Sequence, residues 1–202
     1  VRLVLASTSP ARLATLRAVG IDPLPVAPGV DEEAAVAAAG PSSAPDMVQL
    51  LARLKAEAVA NRGEHEGLVL GGDSAFEIDG VIHGKPHTAE RARERWHAQR
   101  GRSGLLHSGH WLIDTRTGTA VGAPAVARVT FADDITDAEI DAYIATGEPL
   151  SVAGAFTIDS RGAGFITSIE GDPHAVVGLS VPLLRTLVRS LGIEWTALWN
   201  RS

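Results

Sequence analysis

The alternation of short apolar runs with stretches of helical period is the feature that most constrains this chain. Val1 to Ala6 is an apolar run, and Ser7-Thr8-Ser9-Pro10 follows it, with Ser9 placed as a helix N-cap and Pro10 at the first helical position. Leu13, Leu16 and Val19 then recur at helical spacing as far as Gly20. A short extended piece is expected from Leu24 to Val30, ending in Asp31-Glu32-Glu33, and residues 34–45 (Ala, Gly, Pro and Ser for the most part) are expected as a loop. Pro45 opens a second helix, in which Val48, Leu51, Leu54 and Ala58 share a face and Lys55 lies at its border.

The second half continues the pattern. Leu68 to Gly71 reads as a short buried strand running into Gly72-Asp73-Ser74, and Ala75 to Ile82 as a hairpin turned at Asp79-Gly80. Thr88 caps a charged helix to about Gln99, and two longer strands, Leu105 to Ile113 and Ala120 to Phe131, are joined at Thr115 to Thr119. Thr136 and Glu139 form a capping-box pair before a helix to Thr146. Gly164 to Ile169 reads as a strand, and Leu179 to Leu191 as a final helix closed by Gly192. This order predicts an α/β fold, a mixed twisted sheet flanked by helices. The segment from about 75 to 160 is expected as a second lobe, with a cleft between the lobes.

Composition removes several classes of function. There is no cysteine, hence no disulfide, thiolate metal site or cysteine nucleophile, and a cytoplasmic location is the natural expectation. No apolar run is long enough to cross a bilayer, and no basic-then-apolar leader stands at the N-terminus, so no membrane partner is expected. Val1 in place of Met reads as a processed or trimmed start. The net charge of -6 argues against broad capture of a nucleic acid polymer, which needs a basic face. A small polyanion could still bind at a local cluster of cations. Among sixteen arginines the chain keeps only two lysines, Lys55 and Lys85. Either both are ordinary surface residues, or each supplies the compact point charge that a phosphate oxygen accepts where a planar guanidinium does not fit.

Four clusters could carry chemistry. Ser7 to Arg12 stands where a strand hands over to a helix N-terminus, which favours an anion and adds hydroxyl and guanidinium donors; a plain capped helix is the competing reading. Asp73, after Gly71-Gly72, sits at the end of a buried strand, where a metal-binding or catalytic carboxylate is common, although Asp is also frequent in turns. Gly84-Lys85-Pro86 is not a Walker loop, since the spacing and the following residue are wrong. The trio Asp31-Glu32-Glu33 is either a metal site or a helix start, and on its own residues it is read as a helix start. The seven histidines lack metal-ligand spacing, so zinc is not expected, and His107 and His110 are read as surface or strand residues.

Taken in order, these stretches resemble the Maf family of nucleotide pyrophosphatases. The resemblance rests on Ser7 to Arg12, Asp31-Glu32, Leu51-Ala52-Arg53-Leu54-Lys55-Ala56, Gly72-Asp73-Ser74, Gly84-Lys85-Pro86 and Thr146-Gly147-Glu148-Pro149. It continues through Ala153-Gly154-Ala155-Phe156 and from Glu170-Gly171 to Val176-Val177-Gly178-Leu179. Each motif is weak alone, but they keep the family's order along a single domain covering 1–202.

The resemblance implies a fold shared with inosine triphosphate pyrophosphatases and hydrolysis of a nucleoside triphosphate to the monophosphate and pyrophosphate, a house-cleaning of nucleotide pools. It implies that Ser7, Arg12, Lys55 and Lys85 hold the triphosphate. Asp73 acts as general base with Lys85 beside it, and Glu32 and Asp73 support a divalent cation, Mg²⁺ or Mn²⁺. Departures from the family pattern fall at Ala11, Ser74 and Asp159, the positions that separate thymidine/uridine triphosphate enzymes from 7-methylguanosine triphosphate enzymes, and leave the preferred base open. A further departure is Gly104 in place of the family's His. The alternative implied is a nucleotide-binding regulator of septum formation that needs no turnover. An inosine triphosphate pyrophosphatase is a third reading, against which the motif order argues. A homodimer is expected for a compact enzyme of this kind.

Overall fold

The computed structural model describes residues 1–40 and 42–201. Its strands are β1 (Leu3–Ala6), β2 (Leu24–Pro25), β3 (Leu68–Ile78), β4 (Val81–His83), β5 (Ser103–Asp114), β6 (Thr119–Phe131) and β7 (Ile166–Gly171). Its α-helices are α1 (Pro10–Ala18), α2 (Glu32–Ala39), α3 (Ala44–Ala60), α4 (Ala89–Gln99), α5 (Asp137–Ala145), α6 (Pro173–Val177) and α7 (Val181–Ser190). The seven strands form one mixed sheet in the order β2-β1-β3-β5-β6-β7, with β4 paired to β3. β1 runs parallel to β2 and β3, whereas β3/β4 and β6/β7 are antiparallel. Among the described residues no helix is long and apolar enough to cross a membrane.

The chain divides into two compact units. The first comprises Val1–Asp73, Ser108–Ala125 and Gly178–Ser202. Alternation along its strands sorts side chains to two faces. Leu3, Leu5, Leu68 and Leu70 join Leu16, Leu184 and Leu187 in one cluster, while Val4, Ala6 and Val69 pack with Ala56 and Val59 in another. The second unit comprises Ser74–His107 and Val126–Val177. Its core is aromatic: Phe76, Trp96, Phe131, Tyr143, Phe156 and Phe165 meet mostly edge to face, with centroids 5.1–5.9 Å apart. Trp96 is fully buried and donates its indole N–H to the Ala155 carbonyl at 2.8 Å, so Trp96→Ala would cost about 3–5 kcal/mol.

Local signals set most boundaries. Ser9 caps α1, with its Oγ accepting the Arg12 N–H at 3.4 Å, and Thr136 and Glu139 form a reciprocal capping box on α5. Asp79 and Gly80 turn the β3/β4 hairpin at φ 53° and 75°, the positive pair that a tight hairpin turn needs.

Three expectations are corrected. The stretch expected as a loop over 34–45 contains most of α2 and the start of α3, while Pro41 lies outside the described residues. Asp31 caps α2 by accepting the Ala34 N–H at 3.0 Å, two glutamates favour its first turn, and its alanines are strong helix formers. The extended piece expected to reach Val30 pairs only at Leu24–Pro25. The buried face of α3 is Val48, Leu51, Ala52, Lys55, Ala56 and Val59, so Lys55 lies within it, and Leu54 and Ala58 flank it. Of the two readings of His107 and His110, surface or strand, the strand holds: both are buried on β5, where His107 pairs with Glu77 at 2.9 Å and His110 Nε2 accepts the Ser180 N–H at 2.9 Å. The short helix α6 carries no strong sequence signal and was not expected.

Candidate active site

Gly71 explains how a helix and a strand come close enough to build a site. A Cβ at Gly71 would stand 2.0 Å from the Ala52 carbonyl oxygen and 2.8 Å from Ala56 N, so α3 lies directly on β3 at this point. Lys55 is one turn beyond Ala52 on the same helix face. Asp73 is two residues beyond Gly71 and therefore on the same face of the strand. The two side chains meet there, with Lys55 Nζ donating to Asp73 Oδ1 at 2.7 Å. This also corrects the placement of Asp73, which is not at a strand end: β3 continues to Ile78, and the glycines mark close approach rather than termination.

Lys55 Nζ also pairs with Glu32 Oε1 at 2.8 Å. Glu32 is the first residue of α2, so the acidic trio is a helix start and supplies one carboxylate to the site as well. Two carboxylate oxygens thus converge on one ammonium, which itself is buried.

The other face of β3 carries the guanidinium. A Cβ at Gly72 would stand 3.1 Å from Arg12 Nε, so the absence of a side chain there makes room for it. Arg12 Nε donates to the Gly178 carbonyl at 2.8 Å, and Nη1 donates to Ser7 Oγ at 3.2 Å. Ser7 Oγ also accepts the Ser9 N–H at 3.2 Å, which fixes the turn between β1 and α1.

Electrostatics follow from burial. Desolvation pushes the Asp73 carboxyl above the usual carboxylate range, and Lys55 and Arg12 oppose this without cancelling it. Burial likewise lowers the Arg12 guanidinium against the attraction of Asp73 and Glu32. A carboxylate of raised proton affinity, buried between two cations, is suited to accept a proton. Glu32 and Asp73 are also the donors that could hold a hard cation. Mg²⁺ takes one or two protein carboxylates and completes its shell with water and phosphate oxygens, and the spot where both carboxylates converge is already filled by a cation, the ammonium. Among the described residues no group of three or more His, Asp or Glu could hold a metal; two carboxylates are the number that Mg²⁺ takes from protein when phosphate and water complete its shell.

The first unit thus brings together Ser7, Arg12, Glu32, Lys55 and Asp73, with Ala11 half-buried on α1. Lys85, Ser74 and Asp159 belong to the second unit. There Lys85 and Asp159 are exposed, Ser74 is half-buried, and no described residue forms an ion pair with Lys85. Two further features carry no signal in the residues taken singly. The Gly178 carbonyl that orients Arg12 lies in the Val-Val-Gly-Leu run, and that run was the available signal. Glu148, in the Thr-Gly-Glu-Pro run, collects the hydrogen bonds of a whole loop.

Known proteins resemble the chain along nearly all of its length. The Maf-like protein family model matches residues 2–191. A nucleoside triphosphate pyrophosphatase of Leifsonia xyli subsp. xyli is 69% identical, with 100% of this chain and 98% of the relative covered. Proteins of the same name from Streptomyces coelicolor and Salinispora tropica are 51% and 50% identical over 98% and 99% of this chain, covering 94% and 88% of the relatives. In fold, the chain is similar to the Ham1 protein of Staphylococcus aureus, with a TM-score of 0.52 at 13% identity, over 95% of this chain and 100% of that one. The motifs that build the Lys55–Asp73 pair and seat Arg12 fall inside a match that leaves out only the first residue and the last eleven, and on that match the chain belongs to the Maf family.

Proposed function

We propose that this protein hydrolyses nucleoside triphosphates to the monophosphate and pyrophosphate, with Asp73 as general base and Ser7, Arg12, Lys55 and Lys85 as the phosphate-binding groups. The relatives' shared name supports the reaction class. The observation that carries the assignment of roles is the buried Asp73 carboxylate, raised in proton affinity and ion-paired to Lys55 at 2.7 Å.

In the free protein Lys55 is shared between Asp73 and Glu32. An incoming triphosphate offers the ammonium a competing anion. As Lys55 turns toward phosphate, Asp73 loses part of the attraction that lowers its proton affinity and becomes the stronger base when the substrate is present. Asp73 then takes a proton from a water molecule whose oxygen attacks the α-phosphorus. A new P–O bond forms, the bond from the α-phosphorus to the bridging oxygen breaks, and pyrophosphate leaves with the bond's electron pair. Arg12 and Lys85 neutralise charge on the phosphates as it develops. Ser7, held by Arg12 and the Ser9 N–H, presents its hydroxyl at the turn before α1. Glu32 and Asp73 would hold a divalent cation such as Mg²⁺ or Mn²⁺, which would supply further charge neutralisation. Ala11, Ser74 and Asp159 set the choice of base.

Hydrolysis in ¹⁸O-labelled water tests the reading. The label is expected in the nucleoside monophosphate, and none in pyrophosphate. Label in orthophosphate, with a nucleoside diphosphate as co-product, would overturn attack at the α-phosphorus.

A further inference from the structure

The second unit contains a half-buried carboxylate, Glu148, outside the proposed reaction centre. Glu148 follows Gly147, whose φ of 76° turns the chain sharply after α5, and the Glu148 N–H is held by Thr146 Oγ at 3.2 Å. Its side chain then gathers a loop. Glu148 Oε1 accepts from Tyr143 Oη at 2.9 Å, from Thr157 Oγ1 and from the Gly162 N–H at 3.1 Å. Glu148 Oε2 accepts from Ser160 Oγ at 2.9 Å and the Arg161 N–H at 3.4 Å. Those hydrogen bonds hold the carboxylate ionised against its burial.

The two ends of this network differ in character. Tyr143 is a fixed point: it is 3% exposed and packs edge-on to Trp96 at 5.4 Å in the aromatic core. The loop over 157–162 is the reverse, with Asp159, Ser160 and Arg161 exposed and unable to order themselves by packing. Gly162 closes it so tightly that a Cβ there would stand 2.6 Å from the Thr157 carbonyl and from Tyr143 Oη. Ile158 packs against the aromatic core, and one ionised side chain ties down the exposed residues that follow it, of which Asp159 is the first.

We propose that Glu148 is a positioning residue for base selection: it clamps the loop over 157–162 through both carboxylate oxygens and so fixes where the Asp159 carboxylate stands. The inference rests on the reading of Asp159 as a base-end residue. A hydrogen-bonding group selects between bases only if its position is held to a fraction of an ångström, and a loose loop lets the same side chain serve several bases. Loosening the clamp reduces discrimination and leaves the phosphate end as it was.

The test is kcat/KM on uridine, thymidine, cytidine and guanosine triphosphates for wild type, Glu148→Gln, Thr157→Val, Ser160→Ala, Asp159→Ala and the Glu148→Gln/Asp159→Ala double variant. Competitive inhibition by inorganic tripolyphosphate, which has no base, is measured on each. Glu148→Gln is expected to compress the ratio between the best and worst base by about tenfold, with tripolyphosphate inhibition within about twofold of wild type. Thr157→Val and Ser160→Ala are expected to move the ratio in the same direction by less, and they carry the test should Glu148→Gln fail to fold. In the double variant, the loss of Glu148 adds nothing to the base ratio beyond the loss of Asp159. If Asp159→Ala changes the profile while the clamp variants lower all bases by a common factor, Glu148 serves the fold alone and the inference is overturned. If Asp159→Ala leaves the profile unaltered, or wild type does not discriminate, the reading of Asp159 fails first and the inference falls with it.

Discussion

Lys55 Nζ lies 2.7 Å from Asp73 Oδ1 because α3 and β3 touch at Gly71, where the strand has no side chain to hold the helix off. The same contact buries both groups, which raises the proton affinity of Asp73 and puts Lys55, one of the two cations that counter it, within reach. Packing and chemistry are therefore set by one glycine, and variants separate the two.

Asp73→Asn keeps the shape and a hydrogen-bond acceptor for Lys55, which retains Glu32 as an ionic partner. Turnover is expected to fall by about 10²–10⁴-fold, the range for loss of a general base, while circular dichroism and thermal unfolding stay close to wild type. Near wild-type turnover of a pure Asn variant would remove Asp73 from the role of base.

The two lysines should behave differently in stability and alike in activity. Each loses a charge-assisted phosphate contact on change to Ala, at about 1.5–3 kcal/mol or roughly 10- to 150-fold in kcat/KM, for triphosphates of every base. Lys55→Ala also strands the buried carboxylate of Asp73, and removing one partner of a buried pair costs about 3–5 kcal/mol, so its melting temperature drops; Glu32, exposed, is released to solvent. Lys85 is exposed with no ion pair among the described residues, and Lys85→Ala should melt with wild type. Thermal melts beside base-panel kinetics check both, and a lysine variant that changed base preference would have to move to the base end.

How much of this was legible in the sequence follows from the range of each interaction. Caps and tight turns are local, so Ser9, Thr136 with Glu139, and Asp79-Gly80 were readable from neighbouring residues. The buried face of α3 was misjudged because a lysine counts as polar in any hydrophobic pattern, yet Lys55 is inside and satisfied by carboxylates 18 and 23 positions away. Alanine-rich α2 was hidden by the Gly-Pro-Ser-Ser that follows it. Glu148 had a motif but no readable role, since its partners at 157–162 are gathered only by the fold.

Gly71→Ala tests the close approach directly. Its new Cβ would meet the α3 backbone at 2.0 Å, so the helix must step back and carry Lys55 away from Asp73. Overpacking of this kind costs about 1–3 kcal/mol or more, a fall of roughly 5–10 °C in melting temperature, together with reduced turnover. Gly72→Ala meets only the Arg12 side chain at 3.1 Å and should be milder. If both variants melted alike, the helix contact would not be the tighter constraint.

Acid should expose the contribution of Glu148. Burial raises its pKa, but hydrogen bonds from Thr157, Gly162, Ser160 and Tyr143 outweigh burial and bring it from 4.5 down to about 2. A depressed folded-state pKa stabilises fully above the unfolded value, and this contribution is lost as pH falls from 4.5 through about 2. The stability gap between wild type and Glu148→Gln is thus expected to be widest near neutral pH and to narrow across that window. Urea unfolding midpoints at neutral pH and at about pH 3 measure it, and a gap that does not change with pH would mean that the carboxylate's charge is not what the loop uses.

Asp159 sets the last prediction. It is exposed on the loop that Glu148 holds, and as an ionised carboxylate it accepts hydrogen bonds but cannot donate. A base edge rich in donors, such as the amino and ring N–H groups of guanine or the amino group of cytosine, suits it better than the alternating edge of uracil or thymine. Half-buried Ala11 has no side-chain group that could compete with it for a hydrogen bond. Asp159→Gln adds a donor beside an acceptor and should raise activity on uridine and thymidine triphosphates relative to guanosine and cytidine triphosphates, by about 5- to 30-fold if one hydrogen bond worth about 1–2 kcal/mol is gained. Steady-state kinetics across the four bases decides it. A wild-type enzyme strictly selective for uridine or thymidine triphosphate, or an Asp159→Gln variant with an unaltered profile, would take Asp159 out of base selection.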